Sequence, residues 1–249
     1  MKVIACYNIK GGIGKTATTV NLAYLAAKEG AKTLVWDLDP QGAASFYFRI
    51  QPKVKKGGIG LLSGKKELDD VIKGTDYMNL DLVPADFSYR NLDLALDDFK
   101  NSNKRIRKLL KPMDKEYDYI FLDCPPSVSL VSENILNAAD VILVPTIPTT
   151  LSLRTLDQIL EFCEKIDVAH SKVVTFFSMV DLRKKLHKQI IENPPANVRV
   201  LKTCIPYASD IEQMGIHRQP VYLFAKSSQA GKAYQALWNK IKDLPDDAR

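Results

Sequence analysis

The segment Lys10-Gly11-Gly12-Ile13-Gly14-Lys15-Thr16 constrains this chain more than any other stretch, because of what stands on either side of it. Before it, Lys2 to Tyr7 are rich in β-branched and apolar types, in the manner of a strand. After it, Val20, Ala23, Tyr24 and Ala27 recur at helical spacing within Thr16 to Lys28. A strand that enters a helix through a glycine-rich turn aims several backbone N–H groups and a helix N-terminus at one spot, which suits a phosphate group. Glycines allow the dihedrals and the close approach, Lys15 can reach the β and γ phosphates, and the Thr16 hydroxyl can ligate Mg²⁺. The expected ligand is a nucleoside triphosphate held by Lys10, Gly11, Gly12, Ile13, Gly14, Lys15, Thr16 and Ala17.

Further short apolar runs follow at helix-length intervals: Thr33 to Trp36, Leu80 to Val83, Tyr119 to Leu122, Val141 to Val144, Val173 to Phe177 and Val198 to Thr203. Strands alternating with helices predict an α/β fold, a mostly parallel twisted sheet with helices on both faces, and its ligands beyond the carboxyl ends of the strands. With 249 residues, 46% hydrophobic and 26% charged, one soluble domain over residues 1–249 is expected. Lys53 to Gly60, rich in lysine and glycine, reads as a surface loop. No internal repeat is visible, and the first strand begins at residue 2, leaving no room for a DNA-reading helix-turn-helix ahead of it.

The glycine-rich loop departs from GxxxxGK(S/T) at two places. Ile9 stands where the first glycine belongs, and Lys10 adds a second lysine. In this it resembles the deviant Walker A motif of the ParA/MinD family of P-loop ATPases, in which the extra lysine reaches the nucleotide of a partner subunit. Asp37-Leu38-Asp39-Pro40-Gln41-Gly42 resembles that family's switch I. The resemblance implies that Asp39 orients or deprotonates the attacking water and that Asp37 supports Mg²⁺ with Thr16 and Asp123. Tyr117 to Pro126, ending Leu122-Asp123-Cys124-Pro125-Pro126, is similar to Walker B running into switch II. Met179 to Arg183 and Ile205-Pro206 resemble the adenine-side segments, implying contacts from Asp181 and Pro206. Catalytic roles are thereby implied for Lys10, Lys15 and Asp39, with ATP and Mg²⁺ as cofactors.

The family also implies a homodimer in the ATP state, nonspecific DNA binding through basic residues of the C-terminal part, and hydrolysis stimulated by a cargo-linked ParB-like or adaptor protein. The candidate DNA contacts here are Arg183, Lys184, Lys185, Lys188, Lys202, Arg218, Lys226 and Lys232, with a net charge of +6 compatible with a polyanion partner. The resemblance places the protein in the cytoplasm, nucleoid-associated in its ATP state. A MinD-like membrane switch is the alternative. Tyr234, Leu237, Trp238 and Ile241 form an apolar face on the last helix, but core packing is expected, since Asp243, Asp246 and Asp247 beside it would be repelled by an anionic bilayer. No apolar run approaches the roughly 20 residues of a membrane span. Cys6, Cys124, Cys163 and Cys204 show no CxxC spacing, so buried reduced thiols are expected rather than a metal or iron–sulfur site.

Overall fold

The computed structural model describes residues 1–54, 57–62, 67–97 and 102–244. Its strands are β1 (Lys2–Cys6), β2 (Thr33–Asp37), β3 (Lys73–Gly74), β4 (Leu80–Val83), β5 (Tyr119–Asp123), β6 (Val141–Thr146), β7 (Val173–Val180) and β8 (Arg199–Pro206). The helices are α1 (Lys15–Lys28), α2 (Ala43–Tyr47), α3 (Gly57–Leu62), α4 (Leu92–Asp97), α5 (Arg105–Leu110), α6 (Leu130–Ala138), α7 (Thr150–Lys165), α8 (Lys185–Glu192), α9 (Ser209–His217), α10 (Val221–Ala225) and α11 (Gln229–Lys242). The strands form one sheet in the order β3-β4-β2-β5-β1-β6-β7-β8. All neighbours are parallel except β3 against β4.

Alternate residues of each central strand feed two cores, which is why those strands read as unbroken apolar runs. In β1, Val3 and Ala5 face a core closed by α4 to α7, while Ile4 faces one closed by α1 and α9 to α11. Tyr234, Leu237, Trp238 and Ile241 of α11 are buried in the second core, as expected. Trp238 meets the Tyr119 ring edge-on at 5.1 Å, and its indole N–H donates to Glu29 at 3.0 Å. The last helix therefore has no spare apolar face. Among the described residues no helix is long and apolar enough to cross a membrane. Asp246 and Asp247 lie outside the described residues.

Three differences from expectation have physical causes. The strands β6, β7 and β8 run two to three residues further than their apolar stretches, and at the end of β6 a polar side chain finds its partner within the sheet. The buried hydroxyls of Thr146 and Thr175 lie 2.9 Å apart, and Thr175 also donates to the Val144 carbonyl at 2.8 Å. The two-residue β3 carries no apolar pattern and exists only by pairing with β4. The stretch expected as a loop is partly ordered structure: Val54 is buried, and Gly57 and Gly58 open α3, with Lys55 and Lys56 outside the described residues. A side chain at Gly58 would collide with the Tyr89 ring, so that glycine is there for contact and not for flexibility.

Candidate active site

The carboxyl ends of β1, β2, β5, β7 and β8 converge on a cleft of about 380 Å³. Its floor is Gly11, Gly12, Gly14, Lys15, Thr16 and Ala17; one wall holds Asp39, Ala43 and Tyr47, the other Ser178, Met179, Ile205, Pro206 and Glu212. Gly12 and Gly14 adopt φ of +71° and +93°, left-handed values that strain any residue with a Cβ. The Ser178 hydroxyl donates to the Ile13 carbonyl at 3.0 Å, and a Cβ on Gly14 would come within 3.1 Å of that oxygen. Asn8 clasps the other side of the loop. Its Oδ1 accepts from the Lys10 N–H at 2.9 Å, and its Nδ2 donates to the Pro145 carbonyl at 3.0 Å.

Lys15 opens α1 and is buried, with its ammonium donating to the Lys10 carbonyl at 2.9 Å. Lys10 is different. It is half-buried, its side chain has no hydrogen bond or ion pair among the described residues, and it does not line the cleft.

Facing the loop, Asp37 and Asp123 end the adjacent strands β2 and β5 and pair directly in register. Both are fully buried. Asp37 Oδ2 accepts from the backbone N–H and the hydroxyl of Ser45, at 2.8 and 2.7 Å, and Asp123 Oδ1 accepts weakly from Thr19 at 3.4 Å. The remaining oxygens, Asp37 Oδ1 and Asp123 Oδ2, have no hydrogen-bond partner among the described residues. Burial lifts the Asp37 carboxyl to about 6 against the hydrogen bonds from Ser45, and burial together with the Asp37 charge lifts Asp123 well above the usual carboxylate range. Two buried carboxylates with orphaned oxygens are stable as anions only beside a cation. Two carboxylates and a threonine hydroxyl, with no larger acidic or histidine cluster among the described residues, suit a hard cation that keeps water and phosphate as its other ligands. The residues thus fit Mg²⁺.

Asp39 is half-buried at the cleft wall, its Oδ1 accepting from the Gln41 N–H at 2.9 Å. Pro206 lines the cleft, but Asp181 does not. Asp181 belongs to a neighbouring concavity and is held by Arg183 through two contacts of 2.9 and 3.0 Å, which keep its carboxyl down near 2. Cys124 is buried, and burial raises its thiol far above the usual range, in line with packing rather than nucleophilic chemistry.

The basic residues do not gather on one element. Lys184, Lys185 and Lys188 are exposed around the start of α8, and Lys202 is exposed on β8 where its pairing with β7 shifts register. Lys226 and Lys232 are exposed at α10 and α11. Arg218 ends α9 in a left-handed conformation, φ 48°, with its guanidinium 4.5 Å over the Phe46 ring and its Nε donating to the Phe46 carbonyl at 3.1 Å. Asn8, Ser45 and Ser178 are absent from the sequence expectations. Only Asn8 carried a local signal, an asparagine between the end of the apolar run and the loop.

Fold and site together define a P-loop nucleotide-binding protein. A family model described as an AAA domain matches residues 1–176. The chain is 31% identical to the sporulation initiation inhibitor protein Soj of Bacillus subtilis, over 96% of this chain and 98% of that protein. It is 29% identical to the chromosome partitioning protein ParA of Myxococcus xanthus, over 100% of this chain and 91% of the other. A variant of McdA from Cyanothece in complex with ATP superposes with a TM-score of 0.83 at 20% identity, covering 98% of both chains. The chain belongs to this family, among its ParA/Soj-type P-loop ATPases.

Proposed function

We propose that the protein is an ATP-switched positioning ATPase: it dimerises with ATP, binds DNA without sequence preference in that state, and releases it after hydrolysis. The observation that carries the reading is the pair of buried carboxylates with orphaned oxygens opposite a lysine-bearing phosphate loop. Mg²⁺ would sit against Thr16, Asp37 and Asp123 and neutralise phosphate charge.

Lys15 leaves the Lys10 carbonyl for the phosphates, and the N–H groups of Gly11 to Ala17 bind their oxygens. Asp39 holds the attacking water and takes its proton. Pro206 packs on the adenine, and Asp181 shapes the neighbouring rim through Arg183. Lys10, whose ammonium has no partner among the described residues, completes the site of a second subunit, so that dimerisation and ATP occupancy are one event. Two subunits double the basic surface formed by Arg183, Lys184, Lys185, Lys188, Lys202, Arg218, Lys226 and Lys232, and effective concentration turns two weak patches into one tight one. A cargo-linked ParB-like or adaptor protein would set the hydrolysis rate, and the protein would be cytoplasmic and nucleoid-associated while ATP is bound.

The experiment is retention of random-sequence duplex DNA by wild type and Lys10→Ala, with ATP, with ADP and without nucleotide. Salt-sensitive retention that ATP increases, and that Lys10→Ala does not show, supports the switch. Equal retention in every nucleotide state removes it.

A further inference from the structure

The end of the sheet opposite the nucleotide cleft holds a second concavity, of about 450 Å³ against about 380 Å³ for the cleft itself. It opens between the start of β1, the α5 segment and the turn from α6 into β6. Lys104, Arg107, Lys108 and Lys111 form one wall. All four are exposed, and none has a side-chain hydrogen bond or ion pair among the described residues. They stand at i, i+3, i+4 and i+7 along α5 and its flanking turns, so helical geometry stacks them in a stripe roughly 10 Å long.

The carboxylates in the same concavity do not neutralise them. Asp140 accepts the Val3 N–H at 2.8 Å, and Asp114 faces the N-terminal ammonium at 3.4 Å. Like charges at helical spacing destabilise the segment that carries them, so the stripe costs the fold something and gains nothing from within it.

Among the described residues the concavity is lined by no aromatic ring on which a base could stack, and its only side-chain acceptors are those two carboxylates. Recognition there runs through charge alone. The N–H groups of a peptide would find only those two carboxylates, both already engaged, whereas phosphate oxygens can be met by all four cations. A duplex presents one negative charge per about 1.7 Å of axis, so a 10 Å stretch carries about six phosphates, enough to meet four cations from one side.

We propose that this α5 stripe is a contact site for the phosphate backbone of nucleic acid, independent of sequence and of ATP, weak enough that hydrolysis at the ATP-switched surface still releases the DNA. Its independence follows from its place: no residue of the stripe belongs to the phosphate loop, to α2, or to α8 through α11. The site is additional to the ATP-switched surface proposed above and uses none of its residues.

The test is binding of random-sequence duplex DNA to nucleotide-free protein over a range of low salt concentrations, comparing wild type with the triple variant Arg107→Glu, Lys108→Glu, Lys111→Glu. The expected result is at least a tenfold loss of affinity, with the slope of log K against log salt flattened by about 3, while Arg107→Lys binds as wild type. Unchanged nucleotide-free binding in the triple variant, or none in wild type, overturns the proposal. So does competition by polyglutamate equal to that by DNA at the same charge, which would assign the stripe to an acidic peptide. The increment added by ATP reports separately on the switch: its loss with nucleotide-free binding intact would overturn the switch and leave the stripe standing.

Discussion

At the carboxyl ends of the strands two carboxylates are withdrawn from water, whereas at the amino ends four cations stand in it. Asp37 is held by two short bonds from Ser45 and Asp123 by one weak bond from Thr19, and each keeps one buried oxygen without a partner among the described residues, a setting that admits a small cation. The α5 stripe has no such partners and holds no single geometry, so it can attract a polyanion but cannot select one. Burial makes charge specific, and exposure makes it general.

Changes at the buried end should therefore have large effects on chemistry or stability. Lys15→Ala should lower ATP turnover by about two to three orders of magnitude, the scale of losing a preorganised charged donor, measured as phosphate release under saturating Mg²⁺ and ATP. Turnover close to wild type would mean that the loop lysine is not the phosphate contact.

Ser45→Ala comes next. It removes the hydroxyl that donates to Asp37 and leaves the Ala85 N–H, which donates to that hydroxyl at 2.9 Å, without its acceptor in a buried place. A loss of about 1–3 kcal/mol in urea unfolding is expected, together with a weaker response to Mg²⁺ in nucleotide binding. Loss of stability with an unaltered Mg²⁺ response would confine Ser45 to packing.

Asp37→Asn should act in the opposite direction on stability. A carboxyl raised from 3.8 unfolded to about 6 folded binds more protons in the native state between those values. Native stability without metal or nucleotide therefore rises as pH falls from about 6 to about 4 and is lost again as pH climbs. The asparagine should flatten that part of the pH–stability curve and raise stability at pH 7, while turnover falls. A curve of unchanged shape would show that Asp37 carries no net burial penalty.

The smallest effect belongs to the exposed end. Lys108→Gln alone should flatten the salt slope of nucleotide-free DNA binding by about 1 and leave ATP turnover untouched.

Much of this arrangement was legible because it is written locally. The phosphate loop, the strand ends carrying Asp37 and Asp123, and seven of the eight strands in the sheet lie in contiguous patterns whose chemistry is readable within about ten residues. What escaped depends on long-range contact. Ser178 meets the Ile13 carbonyl across 165 residues of chain, and nothing beside Ser178 announces it. Gly57 and Gly58 read as a flexible loop because glycine more often serves freedom than proximity, and the Tyr89 ring that explains Gly58 comes 31 residues later. The motif match that assigns Asp181 to the base did not announce its ion pair with Arg183, two residues away.

The two rims of the sheet finish differently. The β3 rim is two exposed residues long, too short to template another strand. The β8 rim is eight residues long, but its pairing with β7 slips register twice and it displays Arg199 and Lys202 to solvent. A second copy approaching either rim finds no straight, neutral ladder to extend, which removes the usual template for edge-to-edge fusion of sheets.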